Sequence, residues 1–119
     1  GNVADDAEAA RKGLLLATQM KEHRAAAAFA QGCIEVDPYK PEVHALFGQA
    51  CRELRDFARA AREYQVATAL NDKDVESWIG LARTHQALGR REDALNAVQK
   101  ALEVDGTCPA AKALRDELR

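Results

Sequence analysis

The chain has 119 residues, with 17 basic and 19 acidic side chains and a formal net charge of −2. This length supports one compact domain or a short repeat array. The near balance of charge argues against a protein that mainly binds nucleic-acid backbones. Apolar residues make up 47% of the chain and aromatic residues only 5%. Because much of the apolar fraction is alanine, we expect an all-α fold.

The cysteines and the start of the chain bear on its location. Cys33, Cys51 and Cys108 lack metal-ligand spacing, so we expect reduced thiols, with Cys33 and Cys51 buried. The opening residues lack the apolar stretch of a signal peptide, and no run is long enough to cross a membrane. We therefore expect a cytoplasmic protein without membrane insertion. Gly1 in place of methionine suggests an excised or processed chain.

The sequence repeats its pattern every 34 residues. Ala26, Ala60 and Ala94 correspond, and so do the acidic or amide residues at 37, 71 and 105. This period divides the chain into units at 7–40, 41–74 and 75–108.

Each unit reads as two amphipathic helices. The first unit ends at Asp37-Pro38, because a proline disfavours helix in the residue before it. Pro41 opens the second unit, where the missing amide donor costs nothing. In the third unit Gly89 separates the two helices. Asp105-Gly106 ends the second of them, and we expect a left-handed glycine there.

The chain resembles the tetratricopeptide repeat family over nearly its whole length. The residues that carry the resemblance in the second and third units are Phe47, Gly48, Phe57, Ala60, Tyr64, Ala67, Trp78, Leu81, Ala82, Gly89, Ala94, Val98 and Ala101. The first unit is less regular, since Gly13 and Leu14 stand in the reverse of the usual order. The resemblance implies a right-handed α-solenoid of three helix pairs in a single domain, 1–119. We expect residues 109–119 to form a capping helix.

We expect no enzymatic activity, no cofactor and no metal site. His44 and His85 occupy positions that the family fills with bulky side chains, so we expect both to be packed and hydrogen-bonded. His23 falls in a turn, where we expect it to be exposed. Residues 71–76 gather acids but lack the glycine and the distal glutamate of a calcium loop. We expect helix-capping carboxylates there instead.

The resemblance implies a protein-interaction scaffold that binds a peptide segment in the concave wall made by the first helix of each unit. The predicted groove residues are Arg11, Lys12, Leu15, Gln19, Leu46, Gln49, Arg52, Ile79, Arg83 and Gln86, with Leu114 from the cap. Their composition favours a partner with apolar anchors and at least one acidic group. It leaves open whether that segment is extended or helical.

Family members that grip the free carboxylate tail of heat-shock chaperones use a clamp of lysine, asparagine, asparagine, lysine and arginine. The corresponding residues in this chain are Arg11, Leu15, Leu46, Glu76 and Gly80. Only the first keeps its charge, so we do not expect a carboxylate-clamp chaperone binder.

Three alternatives stay open. Residues 33–72 resemble three-repeat chaperones of secretion systems, which hold a client segment in their groove. In a second alternative, the chain is a regulatory or oligomerisation module of a larger protein or enzyme. Self-association through residues 13–20 is a third reading, but we expect those leucines to belong to the core and the protein to be a monomer.

Overall fold

The structure, a computed structural model, describes residues 3–119, which form seven helices and no strand. The helices are α1 (Val3–Gln19), α2 (His23–Val36), α3 (Pro41–Glu53), α4 (Phe57–Leu70), α5 (Val75–Ala87), α6 (Arg91–Val104) and α7 (Pro109–Leu118). This confirms the all-α prediction. None of these helices is long and apolar enough to cross a membrane.

The helices stack in chain order. The most extensive contacts join α1 with α2, α3 with α4 and α5 with α6, and each pair also contacts the next. Further contacts join α3 with α5 and α5 with α7. The molecule measures 52 × 25 × 21 Å, as expected for a stack in which each unit contacts only its neighbours. The contact between α3 and α5 brings the first helices of two consecutive pairs together.

The turn within each helix pair places one residue in the left-handed region. The three residues are Lys21 (φ 58°), Arg55 (φ 64°) and Gly89 (φ 76°). They are separated by 34 residues each, so the turns repeat in conformation although only the third contains glycine. Side chains other than glycine adopt this conformation at a cost of about 1–2 kcal/mol.

The turn between consecutive pairs is closed by a side chain. Asp37, Asn71 and Asp105 each accept a hydrogen bond from the backbone N–H two residues further on, at 3.0, 3.1 and 3.1 Å. The prediction of a left-handed Gly106 is therefore wrong, since Asp105 itself ends α6 in an extended conformation. The Asp side chain supplies the turn that the glycine was expected to supply.

Prolines and one aspartate start the first helices as predicted. Pro41 and Pro109 occupy the first turns of α3 and α7. Asp74 precedes α5 and accepts hydrogen bonds from the Glu76 backbone N–H at 3.2 Å and the Ser77 hydroxyl at 2.6 Å. The acidic 71–76 segment therefore contains a helix cap, as the sequence predicted.

Small residues allow the helices of each pair to approach. Ala26, Ala60 and Ala94 are almost fully buried, each at the same place in its second helix. The core divides into two clusters that meet in α4, where Ala60 belongs to the first and Ala61 to the second. The second helix of the middle pair thus connects both halves of the molecule.

The two ends of the stack differ from the sequence predictions. At the start, Leu14 is buried, but Leu15 is 52% and Leu16 is 57% exposed. The expectation that these leucines all belong to the core is wrong, because only one face of α1 meets a neighbour. At the other end Leu114 is buried against the last pair, so its placement in the groove is also wrong.

Candidate functional site

A concavity of about 500 Å³ lies between α3 and α5. The residues that line it are Glu42, Ala45, Leu46, Gln49, Arg52, Tyr64, Asp74, Glu76, Ser77, Ile79, Gly80, Arg83 and Ala110. We call it the α3–α5 groove. Its volume is in the range of ligand pockets. Most of its lining comes from the first helices of the second and third pairs.

Tyr64 contributes to this lining from α4, and two glycines make room for its ring. A Cβ added to Gly80 would lie 2.4 Å from the Cζ of Tyr64, and one added to Gly48 would lie 2.9 Å from its Cδ2. Because real Cβ atoms do not approach that closely, any side chain at either position would displace the ring. The ring is thus held between α3 and α5.

The Tyr64 hydroxyl lies close to Arg52. Burial raises the pKa of Tyr64, and the Arg52 guanidinium offsets part of that rise. The Nε of Arg52 is itself buried and has no hydrogen-bond partner among the described residues. A buried donor left unpaired costs about 1–3 kcal/mol.

The charges in the α3–α5 groove are separated along the helices. Glu42 and Glu76 lie in the first turns of α3 and α5, and Asp74 directly precedes α5. Arg52 lies in the last turn of α3 and Arg83 in the second half of α5. The apolar side chains of Leu46 and Ile79 lie between the acidic and the basic end.

The structure brings together five of the ten predicted groove residues, namely Leu46, Gln49, Arg52, Ile79 and Arg83. The other five lie elsewhere. Arg11 lines a separate hollow of about 440 Å³ between the first two pairs. Gln86 lines a hollow of about 220 Å³ near the end of α7. The predicted wall is therefore not one continuous site.

The remaining three residues lie along α1. Lys12 forms an exposed ion pair with Glu8 at 3.2 Å, which engages its charge within the helix. Leu15 and Gln19 are exposed and do not line the α3–α5 groove. This part of the prediction assumed that every first helix contributes equally to one surface.

Sequence reasoning missed several residues of the groove, above all Tyr64 and Glu42. Tyr64 belongs to a second helix, whereas the groove was predicted from first helices only. The available signal was the pair of glycines, Gly48 and Gly80, on the helices that flank it. Glu42 could have been found from the 34-residue spacing of Glu8, Glu42 and Glu76.

A buried polar network joins the two helices of the second pair and the turn that precedes them, away from the groove. His44 Nδ1 lies 2.8 Å from a Glu63 oxygen, and its Nε2 donates to the Pro38 carbonyl at 2.7 Å. Arg59 donates to the other Glu63 oxygen at 2.9 Å. The Arg59 guanidinium also covers the Phe47 ring at 4.7 Å. The prediction of a packed, hydrogen-bonded His44 is confirmed.

His85 is buried as predicted, but its Nδ1 has no hydrogen-bond partner among the described residues. The expectation of a hydrogen bond there is not met. Burial lowers the pKa of His85, with a smaller opposing effect from Asp93. His23, predicted to be exposed in a turn, instead begins α2 and is partly buried.

Cys33 and Cys51 have the surroundings of inert thiols. Burial raises the pKa of Cys51 to about 11, and it also raises the pKa of Cys33. Because the thiolate is the reactive form, neither is activated as a nucleophile. Within residues 3–119, no group of three or more His, Cys, Asp or Glu side chains could hold a metal ion.

These observations define a helical-repeat protein in which stacked helix pairs present a groove. The family model described as Tetratricopeptide repeat matches residues 52–118. The chain belongs to the tetratricopeptide repeat family. A comparison with curated proteins finds no match.

Several solved structures are similar to the whole chain. The Arabidopsis OM64 TPR domain superposes with a TM-score of 0.91 at 19% identity, covering 99% of this chain and 98% of that one. The first TPR of Spaghetti (RPAP3), bound to the HSP90 peptide SRMEEVD, gives 0.89 at 19% identity, with 96% and 90% covered. The second TPR domain of human RPAP3, in complex with the HSP70 peptide SGPTIEEVD, gives 0.90 at 12% identity, with 98% of both chains covered. At these identities the likeness establishes the fold alone.

Proposed function

We propose that the protein is a non-catalytic interaction scaffold that binds a segment of a partner protein in the α3–α5 groove. The observation that carries the proposal is the combination of Leu46 and Ile79 with Arg52 and Arg83 around one concavity. Apolar anchors of the partner would pack on the first two side chains. An acidic group of the partner would pair with the arginines. A micromolar affinity, about −8 kcal/mol, is expected for capture of such a short segment.

The position of Arg52 supports the assignment of an acidic contact. Arg52 lines the α3–α5 groove and forms no salt bridge within residues 3–119, so its charge is available to a carboxylate of the partner. Arg83 lines the same groove and has no ion pair among the described residues. Two cations that face one hollow are better placed to recognise an anion than any single exposed arginine.

We propose further that the groove is not a carboxylate clamp for chaperone tails. Of the five residues at the corresponding positions, Arg11 lines a different hollow and Glu76 carries the opposite charge. Gly80 offers no side chain, and Tyr64 occupies the space that a side chain there would need. The peptide SRMEEVD, with its free carboxylate, is therefore expected to bind at least tenfold more weakly than an authentic partner segment.

The experiment that tests the proposal is capture of partners on the immobilised domain, compared with two charge-reversed variants. Arg52→Glu with Arg83→Glu changes the groove. Arg24→Glu with Arg62→Glu makes the same change in net charge on exposed positions of α2 and α4. Circular dichroism and thermal unfolding verify that all three proteins fold alike.

Partners retained by the wild type and by the control pair, but lost from the groove pair, are the expected result. Each such partner is then purified and its dissociation constant measured with the same three proteins. Equal affinity for the wild type and the groove pair would remove Arg52 and Arg83 from the site.

A second candidate function, self-association, is favoured by the exposed Leu15 and Leu16 of α1 and by Met20, which directly follows that helix. Adjacent exposed apolar side chains on one helix are a common feature of interfaces. Light scattering over a hundredfold range of protein concentration decides between this function and the monomer that we propose. A mass that stays at 13.0 kDa rejects self-association.

We propose that the protein is located in the cytoplasm, where its cysteines would stay reduced. Support comes from Cys33 and Cys51, which are free thiols buried in the same core cluster. The repeat boundaries at 7–40, 41–74 and 75–108 are likewise our proposal, with 109–119 as the cap.

A further inference from the structure

We infer that the segment bound in the α3–α5 groove is extended and carries two opposite charges, with a basic residue at the acidic end and an acidic residue at the arginine end. This inference rests on the proposed function and adds a requirement for the basic residue. The groove has two charged ends, and Arg52 and Arg83 account for only one of them.

The acidic end is made by Glu42 and Glu76, which occupy the same place in α3 and α5. Neither side chain forms an ion pair or hydrogen bond within residues 3–119. The equivalent Glu8 of α1 differs, since Lys12 neutralises it at 3.2 Å. Two unpaired carboxylates that face one hollow attract a cation, because each raises the negative potential at the other.

A purely structural role, namely stabilising the first turn of each helix, would also explain glutamates at positions 42 and 76. Acidic residues in a first turn interact favourably with the helix dipole, by about 0.3–1 kcal/mol each. That role requires no particular side-chain direction. Glu42 and Glu76 instead both line the same concavity. The two roles make different predictions, because the dipole contribution affects stability while the groove contribution affects binding.

The separation of the charged ends sets the spacing in the partner. Glu42 and Arg52 are ten residues apart on α3, a rise of about 15 Å. Glu76 and Arg83 are seven residues apart on α5, a rise of about 10 Å. An extended chain advances about 3.3 Å per residue. Opposite charges separated by about three to five residues would therefore reach both ends.

The volume of the groove favours an extended segment over a helix. A helix with side chains is a cylinder about 10 Å across, so a 15 Å length of it fills roughly 1,200 Å³. The concavity is open to solvent and provides about 500 Å³, so a helix would place only one face in it. A single extended strand is narrower and leaves its alternate side chains to face Leu46 and Ile79.

The test uses four synthetic peptides, KLSLE, ELSLK, KLSLK and ELSLE, each with fluorescein on an amino-terminal glycine linker and a carboxy-terminal amide. The amide removes any contribution from a free carboxylate. Fluorescence anisotropy gives the dissociation constants at about 50 mM salt, where charge pairs are only partly screened. Both orders of the mixed peptide are included because the groove does not fix the direction of the chain.

One mixed peptide is expected to bind at least tenfold tighter than KLSLK and ELSLE. Glu42→Gln with Glu76→Gln should remove most of that advantage over ELSLE without weakening ELSLE itself. Arg52→Glu with Arg83→Glu should reverse the preference toward KLSLK. The control pair Arg24→Glu with Arg62→Glu should keep the wild-type order of affinities.

The outcomes separate this inference from the proposed function. If ELSLE binds as tightly as the mixed peptides and the glutamine pair changes nothing, the acidic end has no role, while the proposed function stands. If no peptide binds at millimolar concentration, the extended dipolar segment is rejected, and capture of partners still tests the groove by itself. If unfolding by urea shows that the glutamine pair lowers only stability, the carboxylates serve the helix dipole.

Discussion

Two aromatic rings in this molecule cover a glycine on a neighbouring helix, and they differ in how firmly they are held. Phe29 lies over Gly13 in the first helix pair, and Tyr64 lies over Gly80 of the third. An added Cβ would come within 2.4 Å of the ring in both places. Yet Phe29 is 39% exposed, whereas Tyr64 is 4% exposed.

The difference in exposure between Tyr64 and Phe29 shows that the same kind of ring-on-glycine contact can be enclosed in one helix pair and open to solvent in another. Tyr64 is enclosed because it contacts glycines on both α3 and α5, so its position is fixed by two pairs at once. Phe29 can turn into solvent because its ring is partly exposed. The groove of the second and third pairs therefore has a rigid wall, while the corresponding part of the first pair does not.

The strongest test of this difference is Gly80→Ala. The buried Tyr64 ring cannot move away without disturbing α3 or α5, so the free energy of unfolding should fall by about 2–3 kcal/mol. Urea unfolding measures this loss. Gly32→Ala is the matched control, since its Cβ would lie 3.7 Å from Ala10. Alanine should raise stability there by about 0.5–1 kcal/mol, because it favours the helix.

Gly13→Ala sharpens the same contrast. Phe29 can rotate outward, so the loss should stay below about 1 kcal/mol despite the equally close contact. Combining Gly80→Ala with Tyr64→Leu should cost less than the sum of the two single changes. Equal losses for Gly13→Ala and Gly80→Ala would show that the exposure of the ring does not decide its mobility.

The turns within the pairs offer a second comparison of the same regions. Gly89 has a left-handed backbone and open space around its Cα, so Gly89→Ala should cost about 1 kcal/mol through backbone strain alone. Lys21 holds the same conformation in the first pair, and Lys21→Gly should therefore stabilise the protein, by less than about 1 kcal/mol. Both are measured by urea unfolding at neutral pH. Changes of the same sign would contradict the equivalence of the turns.

The smallest expected effect is the response of the third pair to acid. His85 is buried there, while the equivalent residue of the first pair is Ala17. Burial lowers the pKa of His85 from its ordinary value of 6.5. As the pH falls below that value, the unfolded chain binds the proton before the folded one does. The contribution of His85 is thus fully present above pH 6.5 and is lost as the pH falls through the folded pKa.

Urea unfolding of the wild type and of His85→Leu between pH 7.5 and about 5 checks this direction. The variant should lose less stability than the wild type over that interval. An identical slope for both proteins would mean that His85 is free to take up its proton in the folded state.

The sequence was sufficient to predict the helix pairs, because a 34-residue period places equivalent side chains at equivalent contacts. It was less informative about the ends of helices, where Asp105 rather than Gly106 shapes the turn. A turn of this kind can be closed either by a side-chain hydrogen bond or by a left-handed glycine. The sequence contains both Asp105 and Gly106, and only the backbone geometry shows which of the two forms the turn.

The groove was only half predictable for a related reason. A helical pattern shows which residues share a face, so Leu46, Arg52 and Arg83 were found. The pattern does not show how far neighbouring helices diverge, and Arg11 and Gln86 consequently fell into other hollows. Nor does it show that a ring from a second helix passes between two first helices.

The measurement that tests the central claim most directly is the change in backbone amide chemical shifts when a captured partner segment is added to the isotope-labelled domain. Changes concentrated in residues 42–52 and 76–83 are the expected result, because these stretches line the α3–α5 groove. Changes confined to α1, or to the exposed faces of α4 and α6, would place the binding site elsewhere and contradict the account.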